Sequence, residues 1–110
     1  MSRDIRFSRG DFIVVRNPNS GGCYWTVVNL KPPEDAPSPE IYHCHIPGDN
    51  DFSIAKMIAT RAARMVNGRE HSWPFHYPRR LQQGLSKVLY GDFEIYKKFY
   101  PKKKKKRYKE

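Results

Sequence analysis

The residues best suited to chemistry in this sequence are the consecutive trio His43-Cys44-His45. Alternate side chains of a strand share a face, so His43 and His45 can hold one ion while Cys44 points to the other side. Zinc requires four ligands, or three and a water, and the residues that would complete the set are Cys23, His71 or His76. Because the sequence has no CxxC or HxxxH spacing, we favour a buried Cys44 with both histidines on the open face of a sheet. We predict no metal and no cofactor.

The same histidines, together with Asp49 and Asp51, place four metal-binding groups within nine residues and raise the hypothesis of a nuclease. Metal-assisted cleavage of a phosphodiester needs such groups to converge on one or two ions. The two carboxylates are, however, already explained as capping residues at the start of a helix. A cysteine nucleophile is also disfavoured, because nothing places Cys23 beside an activating base. We therefore predict that the protein is not an enzyme.

Most of the net charge of +10 lies in residues 96–110. This segment holds nine of the 21 basic side chains and one of the 11 acidic ones, a net of +8, which leaves +2 for residues 1–95. Five consecutive lysines repel one another and offer no apolar face. We therefore predict a single small domain over residues 1–95, followed by a flexible basic tail over residues 96–110.

A lysine-rich tail gains most beside a polyanion, because each phosphate that it neutralises releases condensed counterions. Aromatic rings between the lysines can stack on unpaired bases, at about 1–3 kcal/mol each. We therefore predict that these residues bind nucleic acid: Lys97, Lys98, Tyr100, Lys102, Lys103, Lys104, Lys105, Lys106, Arg107 and Lys109. Two alternatives stay open, namely a solubilising end that binds nothing specific and, because Pro101 precedes six basic residues, a nuclear-import signal.

The elements that must position these groups follow from the hydrophobic pattern. Apolar, β-branched runs on either side of the turn cluster 17–22 predict a hairpin over residues 12–30, and a third strand is predicted over 40–46. The loop 31–39 between them contains four prolines, which cannot sustain a ladder of hydrogen bonds. Residues 1–10 are expected to be a flexible lead-in, although Ile5 and Phe7 have the spacing to pair at a sheet edge.

Two helices follow these strands. Apolar residues recur at helical spacing from Ile54 to Val66, after the capping residues 49–51 and before the stop signal Asn67-Gly68. A second, shorter helix is predicted over residues 78–90 and ends at Gly91. The pattern of residues 93–100 fits either a strand or a helix, and we favour a short strand. The fold class is therefore α+β: a three-stranded antiparallel sheet packed on one main helix, with a second short helix and the basic tail.

This order of strands and helix resembles the AP2-like DNA-binding domains of plant transcription factors and phage integrase arms. The likeness rests on Arg61-Ala62-Ala63 with Gly68 five positions on and covers residues 12–68, although the proline loop departs from the family pattern. Members of that family read DNA with Arg and Trp on the exposed face of the sheet. The resemblance therefore implies that Arg16 and Trp25 lie on that face and bind nucleic acid.

The aromatic segment 73–77 carries three large rings and is bounded and interrupted by prolines. It either plugs the open end of the core or docks a protein partner, because aromatic residues are enriched at the centres of interfaces.

No apolar run approaches the roughly 20 residues that span a bilayer, and the first residues lack the apolar core of a secretory signal. We expect no membrane partner and an intracellular location, cytoplasmic or with the nucleoid, or nuclear in a eukaryotic system.

These observations favour a small non-enzymatic nucleic-acid-binding protein that uses its lysine-rich tail for phosphate contacts. The alternative hypothesis is a small accessory protein of viral or phage type that binds another protein and inhibits or redirects it.

Overall fold

The structure is a computed structural model that describes residues 4–19, 22–47, 51–69 and 73–99. In this part of the chain four strands form one antiparallel sheet with neighbours in chain order, and the strands are β1 Ile5–Arg9, β2 Phe12–Asn19, β3 Gly22–Asn29 and β4 His43–Pro47. Two helices, α1 Phe52–Val66 and α2 Arg79–Tyr90, pack on one face of this sheet. The predicted α+β class is confirmed, but the sheet has four strands where the sequence predicted three.

The additional strand, β1, lies at the edge of the sheet and includes residues that were expected to be a flexible lead-in. It pairs with β2 from Ile5 to Arg9, with an irregularity in register between Ile5 and Phe7. The turn that joins β1 to β2 contains Gly10 at φ 59°, a conformation that L-residues with a Cβ rarely adopt. A Cβ at Gly10 would also lie 3.3 Å from the Cβ of Ala63. This close approach seats the turn directly against α1.

The main core lies between the sheet and the two helices. Strand residues directly opposite each other share a face, so Arg16 lies on the same face as its partner Trp25. The Trp25 ring stacks on Phe52 of α1, with ring centroids 4.4 Å apart. The buried strand residues of this core are Phe12, Val14, Trp25, Val27, Cys44 and Ile46. Burying each large apolar side chain contributes about 1.5–3 kcal/mol.

The other face of the sheet carries a second, smaller cluster of Ile13, Val15 and Val28. Its neighbours on the same face are Thr26 and His45, which are opposed in the β3–β4 register. The Thr26 hydroxyl and the His45 Nδ1 are 2.9 Å apart and hydrogen-bonded. Residues 12–15 of β2 and 25–28 of β3 are therefore buried on both faces, in keeping with the continuous apolar run 12–15 in the sequence.

The helices match their predicted positions closely. Helix α1 begins at Phe52, but the Asp51 side chain makes no capping hydrogen bond and instead accepts one from Arg80 at 2.6 Å. The predicted caps Asp49 and Asn50 lie outside the described residues. Its buried stripe is rich in alanine, which allows a close approach to the sheet: Ala55, Ile58, Ala59, Ala62 and Ala63. Helix α2 ends at Gly91, whose φ of 78° is the left-handed conformation of a C-terminal cap.

Two shorter segments differ from their predictions. Residues 39–42 form a turn of 3₁₀ helix, so β4 begins at His43, three residues later than predicted. Residues 95–99 form a 3₁₀ helix where a strand was predicted. Tyr96 is only 2% exposed and belongs to the core. The packed body therefore extends at least to Phe99, beyond the predicted domain boundary at residue 95.

The 3₁₀ helix is attached to α2 by one buried hydroxyl. Ser86 Oγ donates to the carbonyl oxygen of Asp92 at 2.7 Å and accepts from the backbone N–H of Tyr96 at 3.0 Å. The guanidinium of Arg79 donates to the Tyr96 hydroxyl at 3.2 Å. These bonds hold the last described residues in place.

Within the described residues, no helix has the length and apolar composition needed to cross a membrane.

Candidate nucleic-acid interface

A groove of about 520 Å³ lies between the edge strand β1 and helix α1. Two residues of β1 form one wall, and one face of α1 forms the other. We call it the basic groove, and its lining residues are Phe7, Arg9, Ser53, Lys56, Met57, Thr60, Arg61 and Arg64. The six helical residues recur at spacings of three and four, which places them on a single face of α1.

The side chains of the basic groove combine cations with aromatic rings. The Arg9 guanidinium carbon lies 5.6 Å from the centroid of the Phe7 ring. On the opposite wall, the Lys56 ammonium lies 4.7 Å from the centroid of Phe52. Such cation–π contacts are worth about 0.5–1 kcal/mol at exposed sites. They orient the two cations from opposite walls of the groove.

No acidic side chain is among the described residues that line the basic groove. Helix α1 itself contains three basic residues and no acidic one. Four cations therefore converge on one concave surface, where their potentials add and attract an anion. The helical spacing of Ser53, Lys56, Thr60 and Arg64 in the sequence places them opposite the alanine-rich stripe of α1.

A second basic surface lies where the described chain ends, and we call it the tail root: Tyr90, Lys97, Lys98 and Phe99. Lys97 forms an ion pair with Glu94 at 2.8 Å, and this hydrogen bond raises the pKa of the Lys97 ammonium. Phe99 stacks on Trp73 with centroids 5.0 Å apart and also contacts the ring of Tyr90. Because Tyr90 and Phe99 are both more than 40% exposed, the tail root offers aromatic surface beside its lysines.

The aromatic loop 73–78 connects these two surfaces. Its first residue, Trp73, stacks on Phe99 of the tail root. Tyr77 accepts a hydrogen bond from Arg61 of the basic groove and lies under its guanidinium, 4.9 Å from carbon to ring centroid. Gln82 fixes the loop, because its side chain accepts from the Trp73 indole at 2.8 Å and donates to backbone carbonyls of residues 75 and 77. Trp73 is buried in the core, in agreement with the plug interpretation of this loop.

Two of the predicted site residues are placed differently from the prediction. Trp25 is 6% exposed and stacks within the core, so the expectation that its ring lies on an open sheet face is wrong. Arg16 is its register partner and therefore also faces the helices. The physical reason is that the helices cover this face of the sheet. The remaining predicted residues Tyr100, Lys102–Lys106, Arg107 and Lys109 lie outside the described residues.

The His43-Cys44-His45 cluster is arranged as the strand alternation predicted. Cys44 is buried in the core, where desolvation raises the pKa of its thiol to about 11. His45 is exposed on the other face, where its ring lies edge-on to Tyr24. Among the residues that the structure describes, no three His, Cys, Asp or Glu side chains are grouped to hold a metal ion.

The residues that sequence reasoning missed are Phe7, Arg9 and Arg61, which the structure brings into the basic groove. The sequence does carry a signal for strand β1: Ile5, Arg6 and Phe7 alternate between apolar and polar, and Gly10-Asp11 after them is typical of a turn.

No family model, curated protein or solved structure matches the chain. The resemblance to AP2-like domains therefore stays a prediction.

Proposed function

We propose that this protein is a small non-enzymatic nucleic-acid-binding protein whose basic groove and lysine-rich C-terminal segment both contact phosphates. The observation that carries the proposal is the convergence of four cations in the groove, with no acidic side chain among its described lining residues. A concave surface lined by cations attracts an anionic ligand, because the potentials of the cations add there.

The two surfaces contribute to binding in different ways. Lysines 97–109 supply affinity that depends on phosphates and not on sequence, since each neutralised phosphate releases counterions. The groove adds cations that contact aromatic rings, Arg9 on Phe7 and Lys56 on Phe52, which fixes the position of the ligand on the folded body. Arg16 and Trp25 have no part in this proposal, because they face the helices.

The test is a salt titration of binding to a fluorescent oligonucleotide, followed by anisotropy, with the full chain throughout. Replacing the five lysines 102–106 by glutamine should leave the fold intact and reduce the slope of log affinity against log salt by up to about 3.5–4.5, at about 0.7–0.9 for each phosphate that the variant no longer neutralises. The matched control permutes residues 101–110, which keeps the charge, and should bind like the natural chain.

Failure to bind DNA or RNA in dilute buffer would overturn the proposal. If a defined polypeptide then co-purifies with the protein, the accessory-protein hypothesis replaces it. The non-enzymatic part is tested separately, by incubating plasmid DNA with the protein and Mg²⁺ or Mn²⁺. We expect the plasmid to stay intact, and cleavage that a chelator abolishes would contradict this part alone.

A further inference from the structure

We infer that the basic groove binds an unpaired nucleotide of a single strand, with its phosphate held between β1 and α1 and its base stacked on Phe7. This inference rests on the proposed function and specifies the class of nucleic acid. It is carried by the size of the groove, by its chemical lining and by its position beside the edge strand.

The size of the groove fits a nucleotide and not a duplex. Its volume of about 520 Å³ falls within the range of about 300–1,000 Å³ that is usual for small-ligand pockets. Proteins that read duplex DNA insert a protruding helix or ribbon into the major groove. Here the basic face of α1 is instead one wall of a concavity, and Phe7 and Arg9 of β1 form the facing wall.

The lining has the two components that single-strand binding requires. Flat rings stack on bases whose faces are free, and cations follow the backbone phosphates. Phe7 and Arg9 lie together on the β1 wall, with 5.6 Å between guanidinium carbon and ring centroid. Lys56 lines the α1 wall, so a phosphate can be held from both sides while the adjoining base stacks on the Phe7 ring in place of the Arg9 guanidinium. In a duplex the base faces are occupied by neighbouring bases, and only the phosphate contacts would remain.

The experiment compares three fluorescent DNA probes of one length with the full protein: a mixed-sequence single strand, the same strand in a duplex, and an abasic strand that keeps its phosphates. We expect the ordinary single strand to bind tightest, and the abasic strand to bind about five-fold or more weakly because it has no base to stack. The abasic probe requires no change in the protein. It therefore tests the inference even if a Phe7 variant does not fold.

Protein variants then locate the site. Arg9→Gln and Lys56→Gln should each weaken single-strand binding several-fold more than the control Lys31→Gln, which makes the same charge change in the exposed loop. Phe7→Leu keeps an apolar side chain, so it should weaken binding of the ordinary strand about five-fold or more but leave binding of the abasic strand unchanged.

The outcomes separate this inference from the proposed function. If no probe binds, the proposed function itself fails. If the probes bind but the duplex or the abasic strand binds as tightly as the ordinary strand, only the single-strand inference fails. It also fails if Arg9→Gln and Lys56→Gln match the control.

Discussion

Gly84 of α2 is the point where the two helices leave no room for a side chain. A Cβ at this position would lie 2.3 Å from Cδ1 of Ile58 and 3.0 Å from its Cγ1, with the Cys44 sulfur at 3.6 Å. From helix propensity alone, Gly84→Ala should stabilise the protein by up to about 1 kcal/mol. The structure predicts the opposite, because Ile58 is 1% exposed and has no solvent to move into.

The expected magnitude follows from two opposing contributions. Rotation about χ2 can move Cδ1 of Ile58 away, but Cγ1 is held by the single χ1 rotamer that helical isoleucine prefers. Overpacking of this kind costs about 1–3 kcal/mol, and the propensity gain offsets up to about 1 kcal/mol of it. We therefore expect Gly84→Ala to lower the free energy of unfolding by about 1 kcal/mol, and by no more than about 2 kcal/mol.

The assay is urea denaturation, followed by the fluorescence of the two tryptophans and by circular dichroism. Ile58→Val removes Cδ1 and should cost about 0.5–1.5 kcal/mol by itself. In the double variant the new Cβ occupies the vacated space, so its loss of stability should be smaller than the sum of the single losses by about 1 kcal/mol. An increase in stability for Gly84→Ala, or additivity within about 0.5 kcal/mol, would refute the reasoning.

Three further predictions concern buried polar groups. Ser86→Ala removes the hydrogen bonds to the Asp92 carbonyl and from the Tyr96 N–H of the C-terminal 3₁₀ helix and should cost about 1–3 kcal/mol in urea denaturation, whereas the exposed control Ser53→Ala should stay within about 0.5 kcal/mol of the natural chain. The Cys44 thiol ionises near pH 9 when unfolded but has a pKa of about 11 when folded. Between these two pH values the folded state binds more protons than the unfolded state, so the free energy of unfolding should fall as the pH rises. The fall should be steeper than in Cys44→Ala, by up to about 1.4 kcal/mol per pH unit. Gln82→Glu removes the amide donor to two loop carbonyls and should change the fluorescence of Trp73 at neutral pH, and a spectrum equal to that of the natural chain would contradict this role.

The elements whose boundaries depend on local chemistry could be predicted from the sequence. Helix α2 ends where Gly91 supplies the left-handed conformation, and the hairpin turns within a cluster of Asn, Pro, Ser and Gly. The alanine-rich stripe of α1 follows directly from helical periodicity. In each case the residues that determine the structure are neighbours in the chain, so their pattern is visible without knowledge of the rest of the fold.

Two elements could not be predicted because tertiary contacts determine them. The edge strand β1 pairs on one side only, and its five residues include Arg6 and Arg9, a composition that does not distinguish a strand from a flexible segment. Residues 95–99 have a pattern that suits a strand or a helix equally. Their conformation is fixed by Ser86, which receives the Tyr96 N–H and donates to the Asp92 carbonyl. That contact spans up to ten residues and leaves no periodic signal.

The candidate site was only partly predictable for a related reason. The run Phe12–Val15 is apolar at every position and buried on both faces of the sheet, so alternation does not reveal which face the helices cover. Trp25 and Arg16 were assigned to an open face by the resemblance to AP2-like domains, and the hydrophobic pattern offered nothing to correct that assignment. The polar face of α1 was visible in the sequence, but its facing wall became visible only once β1 was placed at the edge of the sheet.

The aromatic loop 73–78 places the groove and the tail root within reach of one nucleic-acid strand. Trp73 contacts the tail root and Tyr77 contacts the groove, and four residues span at most about 14 Å. The eleven residues that follow Phe99 can reach up to about 36–40 Å when extended. Under the proposed function, a strand held in the groove meets the lysines at a high effective concentration. It follows that neutralising lysines 102–106 should matter most for strands long enough to leave the groove, and least for those that only fill it.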